Sequence, residues 1–356
     1  ADPLRKVYPF LDEKKYENYV GRPLAEIPAP DGNGSYDDYF LKPFFKSLKN
    51  VGVIPEIVDN YQYYKDGKYI ECTKTIIENR IKAKEILEKI SGRQLPKNWF
   101  PWTFKDDNGK LCNGKFIKYE WPFVYFENNE GKEICNNLEK GEGKLPWRLD
   151  WPSKWRILGV TFEAFGKDHA TKGGSYDTGK RIVKDILGYD VPHHIVYEWI
   201  NLKGKGAMHS STGLAISAEE MLHMAPPEVI RWLIMHPQPN RHVDFDPGLG
   251  LLNSVDKYDR IEKEYYDKTL DENSSRSFEL SQIKEISNTK NQTIPYRHLV
   301  TLVQSKESTK EIEKTLLKTG DIGKLNETEN KNLESRVECI KGWLDKHAPE
   351  SVKFEI

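Results

Sequence analysis

Cysteine is scarce in this chain: four residues in 356, Cys72, Cys112, Cys135 and Cys339, with no C-x-x-C pair. That excludes a disulfide framework and points to a reducing, cytosolic compartment. Zinc takes four ligands, usually in close pairs. Neither Cys112 nor Cys135 has a partner two to four residues away, so no structural zinc is expected. Net charge is nearly absent, with 54 Lys and Arg against 55 Asp and Glu. This excludes a uniformly polycationic nucleic-acid binder, although a local basic face remains open. No run approaches the ~18–20 apolar residues of a membrane helix. The opening residues Ala1 to Lys6 lack the apolar core of a signal peptide, so no membrane role is expected. There is no G-x-x-x-x-G-K-[ST] loop and no H-E-x-x-H pattern. His193-His194 and the pair His236/His242 therefore read as solvated or packed side chains.

Aromatic residues are plentiful at 12%, which offsets a modest hydrophobic fraction of 37% and argues against general disorder. Tyr39, Phe40, Phe44, Phe45 and Leu48 recur at helical spacing and predict an amphipathic helix over 36–50. Val51 to Val58 reads as a turn into a short buried strand, and 68–90 as one long helix closed by Gly92. Residues 93–142 change character: Lys115 to Phe126 and Lys132 to Cys135, separated by the turn Asn128-Asn129-Glu130-Gly131, predict hairpins, with Pro122 marking an edge strand or bulge. Strands are expected over 158–162 and 194–200, with a helix over 179–187 stopped by Gly188. Ser217-Ala218-Glu219-Glu220 matches a capping box, and Pro226-Pro227 opens another helix. Beyond Asp256 come charged amphipathic helices interrupted by a polar stretch, 271–277. The pattern is α/β, split by a β insertion and followed by helices.

The densest segment runs from Lys144 to Lys184, with nine Lys and Arg against four Asp and Glu and three tryptophans. Its Gly173-Gly174-Ser175 turn before a helix can present backbone N–H groups to an anion, or can simply be a tight turn on a solvated face. Asp168-His169 follows Gly166 at the C-terminal end of a strand, the edge where open α/β sheets bind ligands. There a carboxylate can accept ribose hydroxyls; equally, Asp168 can cap the next helix beside a surface histidine. Lys203 to Gly213 is a basic, hydroxyl-rich loop able to close over a triphosphate, or a plain flexible linker.

Longer strings are more specific. LPWRLDWPSKW (145–155), FGKDHATKGGSYDTG (165–179), APPEVIRWLI (225–234), RHVDFDPGLGLLNSVDKYDR (241–260) and DPLRKVYPFL (2–11) resemble class I lysyl-tRNA synthetase of the archaeal type. The resemblance implies a Rossmann-type class I catalytic domain, ATP-dependent activation of lysine to lysyl-adenylate, and transfer to the lysine tRNA. It places the first part of the catalytic domain in 1–92, the connective β insertion in 93–142, and the second half in 143–205. A stem-contact region with the KMSKS-position loop follows in 206–262, then the start of an α-helical anticodon-binding domain in 263–356.

By the same resemblance Trp147 and His169 shape the lysine pocket, while Gly166 and Asp168 contact ATP or its ribose. Met208, His209, Ser210, Ser211, Thr212 and Gly213 form the KMSKS-position loop. Ala207 and Thr212 stand where the family has lysines, so Lys203 or Lys205 is expected to reach the phosphates of ATP with its Mg2+. Asn33, Gly34 and Tyr39 occupy a region where some members carry metal ligands, consistent with no zinc. The implied protein is a cytoplasmic monomer whose partners are lysine, ATP and the lysine tRNA. The family's opening strand and HIGH-type motif precede DPLRKVYPFL, so the chain is expected to be an internal fragment, inactive alone. The competing reading is a degenerate synthetase-like protein that binds tRNA or lysine without catalysis.

Overall fold

The computed structural model describes residues 2–208 and 215–354. The chain divides into two compact units, one of Ala1–Lys42 with Pro55–Tyr197 and one of Pro43–Ile54 with Glu198–Ile356.

The first unit begins with irregular chain and a short helix, α1 (Glu13–Tyr16), gathered around Leu4, Leu11, Tyr16 and Ile27. Helix α2 (Tyr36–Asn50) forms where the spacing predicts it, but Tyr39, Phe40 and Phe44 on its apolar side stay exposed. The strand expected at 51–58 does not form. Gly52 turns the chain at φ +71°, Pro55 removes a donor, and Ile54 is 85% exposed with no strand pairing among the described residues.

After α3 (Asn60–Lys65), the single helix expected at 68–90 is two: α4 (Ile70–Glu78) and α5 (Arg80–Ser91). The break is at Asn79, where the backbone leaves the helical region (φ −102°, ψ +23°) while both its N–H and its side-chain amide donate to the Thr75 carbonyl. The break turns Ile81 outward, 71% exposed, while Ile77 and Leu87 stay buried. Gly92 closes α5 at φ +69°, as expected of a left-handed cap.

The β insertion is present as hairpins. Strands β1 (Phe104–Lys105) and β2 (Leu111–Cys112) pair antiparallel, and β3 (Lys115–Glu120), β4 (Phe123–Glu127) and β5 (Glu133–Asn137) form a three-stranded meander. Pro122 lies in the turn between β3 and β4 rather than in an edge strand, so no ladder hydrogen bond is lost to it. Phe100, Phe104, Phe116 and Phe126 stack in its core, at centroid distances of 4.5 Å (Phe100–Phe116) and 4.2 Å (Phe104–Phe126).

Helix α6 (Trp147–Leu158) follows, capped by Gly159 at φ +65°. Leu158 thus ends a helix, and the strand expected at 158–162 moves to β6 (Phe162–Gly166), because the Trp151/Trp155 helical spacing persists to the glycine cap. Helix α7 (Ser175–Asp185) starts four residues before the expected 179, and β7 (His193–Tyr197) pairs parallel with β6, completing a β–α–β unit.

In the second unit the strand expected at 194–200 continues as a separate element. Strand β8 (Ile200–Leu202) pairs antiparallel with β9 (Gly206–Ala207) and parallel with β10 (Val243–Phe245). Helix α8 (Ala218–Met224) opens with Ser217 Oγ accepting from Glu220 N–H at 3.1 Å, and α9 (Pro227–Met235) has Pro227 in its first turn. The rest is helical: α10 (Leu249–Tyr266), α11 (Glu272–Ser281), α12 (Tyr296–Ser305), α13 (Thr309–Thr319) and α14 (Glu327–Lys346). The polar stretch 271–277 is therefore not an interruption. Asp271 caps α11 by accepting from Ser274 N–H, which lets a polar segment start a helix.

Two contacts fix α14. Arg336 donates to Asp259 of α10 (Nη1–Oδ2, 2.9 Å) and to the Ile294 carbonyl, tying buried charge to a partner. Gly342 faces α8 so closely that a Cβ there would lie 2.2 Å from the His223 carbonyl oxygen. Gly342→Ala therefore tests this packing. Helix propensity alone predicts a gain of about 1 kcal/mol, but displacing α8 costs more, and the net outcome expected is a loss of about 1–3 kcal/mol in urea unfolding.

Candidate active site

The C-terminal edge of the β6–β7 pair carries the residues singled out from the sequence. Helix α6 sets Trp147, Trp151 and Trp155 at i, i+4 and i+8, hence on one face. Trp147 stacks on Trp151 (centroids 5.3 Å, planes 16° apart), and Trp151 meets Trp155 at 5.1 Å. Trp151 and Trp155 are buried, whereas Trp147 at the end of the ladder is 40% exposed. Their indole N–H groups need acceptors inside the protein. Glu163, the second residue of β6, supplies both: it accepts from Trp151 Nε1 at 3.0 Å and from Trp155 Nε1.

The chain leaves β6 at Gly166, which is paired with Tyr197, and turns tightly, with His169 N–H donating to the Gly166 carbonyl at 3.1 Å. This turn swings the His169 ring against the ladder, 5.8 Å from Trp147 and 5.4 Å from Trp151. Asp168 is exposed beside it, with Oδ2 4.0 Å from His169 Nε2. A Cβ on Gly166 would lie 2.9 Å from Asp168 Oδ1, so the missing side chain leaves that carboxylate its position.

The glycine turn before α7 closes the same edge. Gly173 adopts φ +74°, and a Cβ on Gly174 would lie 2.7 Å from the His169 carbonyl oxygen. Arg148 Nη1 donates to the carbonyls of Gly173 (3.1 Å) and Gly174 (3.0 Å) and to Thr178 Oγ1 (3.1 Å), pinning the turn to α6. Trp147 Nε1 donates to Ser175 Oγ at 3.2 Å. Asp177 accepts from Gly173 N–H. Burial pushes its carboxyl up, but the Lys180 ammonium and that N–H outweigh it, so the group titrates below its usual value. Burial, then Asp177 and Glu163, raise the Tyr176 hydroxyl, which shares a 2.9 Å bond with His194 Nδ1.

Under the ladder, Asp150 is fully buried. One oxygen accepts from the Tyr64 hydroxyl at 2.6 Å and the other pairs with Lys154 Nζ at 2.7 Å. Lys154 Nζ also lies 5.3 Å from the Trp147 ring centroid, so this ring already receives a cation.

Trp147, Gly166, Asp168 and His169 are thus brought together. The remaining expected residues lie in the second unit. Lys203 follows β8 with Nζ 3.2 Å from Asp246 Oδ2, so its charge is balanced within the unit. Lys205 is exposed in the β8–β9 turn between Gly204 (φ +76°) and Gly206 (φ +81°). Met208 packs on the core of this unit. His209, Ser210, Ser211, Thr212 and Gly213 lie outside the described residues.

Sequence reasoning missed Trp151, Glu163, Arg148, Ser175 and Tyr197. The Trp147/Trp151/Trp155 spacing was a visible signal for the ladder; nothing local marked Glu163 as its acceptor. No group of three or more His, Cys, Asp or Glu among the described residues is arranged to hold a metal ion, and all four cysteines are free.

An aromatic-walled, partly exposed site beside a carboxylate lies here at the C-terminal edge of a parallel β–α–β unit, the edge at which open α/β sheets bind ligands. The family model described as tRNA synthetases class I (K) matches residues 1–285. The chain belongs to this family of class I aminoacyl-tRNA synthetases, and ATP is the substrate that its class implies. It is 41% identical over 356 residues to a lysine–tRNA ligase of Thermoplasma volcanium, covering 100% of this chain and 69% of that protein. It is equally 41% identical over 358 residues to a lysine–tRNA ligase of Thermoplasma acidophilum, with 100% and 69% covered. Among solved structures, a putative arginyl-tRNA synthetase from Campylobacter jejuni superposes with a TM-score of 0.32 at 11% identity, covering 86% of this chain and 59% of that one.

The acceptor role of Glu163 is testable by unfolding. Glu163→Ala leaves two buried indole donors without partners and is expected to lower stability by about 2–4 kcal/mol, with a red shift of tryptophan fluorescence. Glu163→Gln, whose amide oxygen still accepts, should recover part of both; equal losses in the two variants would contradict the assignment.

Proposed function

We propose that this protein activates lysine with ATP and joins it to the lysine tRNA. The observation that carries the reading is the meeting of the Trp147 ring, the His169 ring and the Asp168 carboxylate at one sheet edge, in a chain of the class I (K) family. In the first step the lysine carboxylate attacks the α-phosphorus of ATP; the bond to the bridging oxygen breaks and pyrophosphate leaves, giving lysyl-adenylate. In the second, a ribose hydroxyl at the tRNA 3′ end attacks the acyl carbon and AMP leaves.

The roles follow from side-chain chemistry. Trp147, half-exposed, offers an aromatic wall to an alkyl chain, and His169 a neighbouring hydrogen-bonding ring for its polar end. Gly166 lets backbone approach the nucleotide, and Asp168 accepts from ribose hydroxyls. Lys205, exposed in its turn, and Lys203, once it exchanges Asp246 for phosphate, balance charge on the pyrophosphate side. Met208 to Gly213 is the loop at the KMSKS position. Mg2+ enters with ATP as part of the substrate complex.

The same reading assigns 1–92 and 143–205 to the split catalytic domain, 93–142 to the connective insertion, 206–262 to the stem-contact region and 263–356 to the anticodon-binding helices. A cytoplasmic monomer completes it.

Lysine-dependent ATP–pyrophosphate exchange, measured in the full-length enzyme that carries the HIGH-type motif, is the test. Trp147→Ala and His169→Ala should each raise KM for lysine at least tenfold while changing KM for ATP much less, because each removes a wall of the amino-acid pocket. Equal effects on both substrates would contradict the pocket assignment. Lack of exchange with tRNA binding retained would favour a non-catalytic binding protein.

A further inference from the structure

Helices α5 and α7 lie against each other in opposite directions. Near the start of α5, Lys82 Nζ donates to the Asp185 carbonyl at the end of α7 (2.7 Å). At the opposite end, a Cβ on Gly173 would lie 2.7 Å from the Ile90 carbonyl oxygen, which places the turn before α7 on the last turn of α5. Ala83, Ile86 and Leu87 of α5 and Ile182 and Val183 of α7 are buried in the same core.

The outward side is heavily positive. Residues 80–97 carry six Lys and Arg against Glu85 and Glu88, and residues 172–184 carry four against Asp177, in a chain whose net charge is −1. Several of these cations have partners: Arg181 pairs with Asp185, and Lys180 with Asp177 at 2.9 Å. Lys89, Arg93, Lys97, Lys172 and Lys184 are exposed, and none makes an ion pair with a described carboxylate. Arg93 also adds like charge beside Arg148, whose guanidinium is held below its usual value first by burial and then by Arg93. Such a face repels itself and gains when its cations replace the counterions condensed on a polyanion. It has almost no apolar content, Ile81 being the exception, so it does not fit an interfacial membrane helix or an apolar protein partner. The 11 residues of α7 run about 16 Å, long enough to follow several phosphates.

We propose that the α5–α7 face is a docking surface for the phosphate backbone of the tRNA, contacted through Lys89, Arg93, Lys172 and Lys184. The inference rests on the proposed function for the identity of the RNA. It assigns these residues to positioning the tRNA, with no part in lysine activation.

The test uses a lysine-tRNA transcript and a variant carrying Lys89→Gln, Arg93→Gln, Lys172→Gln and Lys184→Gln, titrated between about 50 and 200 mM salt. The expected result is a loss of tenfold or more in tRNA affinity and a log–log salt slope shallower by about three, with lysine-dependent ATP–pyrophosphate exchange unchanged. A second variant that keeps the charges, with Lys89→Arg, Arg93→Lys, Lys172→Arg and Lys184→Arg, should retain affinity and slope, which separates charge from folding. Unchanged affinity and slope in the glutamine variant would overturn the surface. All variants are made in the full-length enzyme that carries the HIGH-type motif; absence of exchange in that unsubstituted enzyme would instead overturn the functional reading, and the two failures are read by different assays.

Discussion

The carboxylate of Glu163 is the point on which the site depends. A β-strand and a helix that pack through tryptophans face a specific difficulty: each buried indole gains large apolar contact but brings an N–H that must be satisfied. Glu163 meets both demands from a single position in β6, accepting from Trp151 and Trp155. Trp155 then packs beside α7, where Gly179 leaves room for its ring; a Cβ there would come within 2.9 Å. Trp151 becomes a fixed platform touched by Trp147, Phe165 and His169. The exposed end of the ladder is therefore held by buried layers beneath it, and in the proposed reading such a surface needs little reorganisation to accept lysine.

A second buried polar group acts from the other side of α6. Asp150 joins Tyr64 of α3 to Lys154, and the Tyr64 hydroxyl in turn accepts from Leu145 N–H at 3.1 Å. Burial and the Asp150 charge hold the Tyr64 hydroxyl well above its usual titration range, so it stays a donor to that carboxylate. Buried charge of this kind contributes little net stability compared with an apolar substitute. Its effect is to fix the start of α6, and with it the direction in which Trp147 emerges. Arg148 then transfers that register to the glycine turn of α7, so α6, β6 and α7 define one edge together.

Much of this was legible in the sequence where local chemistry decides the outcome. Helix α2, the Ser217 cap, the Pro226-Pro227 start and the Gly92 stop follow from side chains acting within a few residues. Errors arose where local and distant effects compete. Val51 to Val58 has the apolar content of a buried strand, yet no neighbour pairs with it among the described residues. A helix across 68–90 is periodic throughout, but the backbone leaves the helical region at Asn79 and splits it. Trp147, Gly166, Asp168 and His169 stood out through extended strings resembling the class I (K) family, to which the chain belongs. Glu163 did not, because the expected strand ended at 162, and a lone glutamate just past it carries no sign of the two indoles that claim it.

The central claim is that the exposed end of the tryptophan ladder receives the side chain of lysine. Equilibrium titration of L-lysine into the protein, followed by tryptophan fluorescence with L-leucine and L-arginine as comparators, addresses it directly. The account predicts a saturable change with lysine, a far weaker response to leucine, which lacks the cation, and loss of the lysine signal in Trp147→Ala. No response to lysine, or equal responses to lysine and leucine, would contradict it.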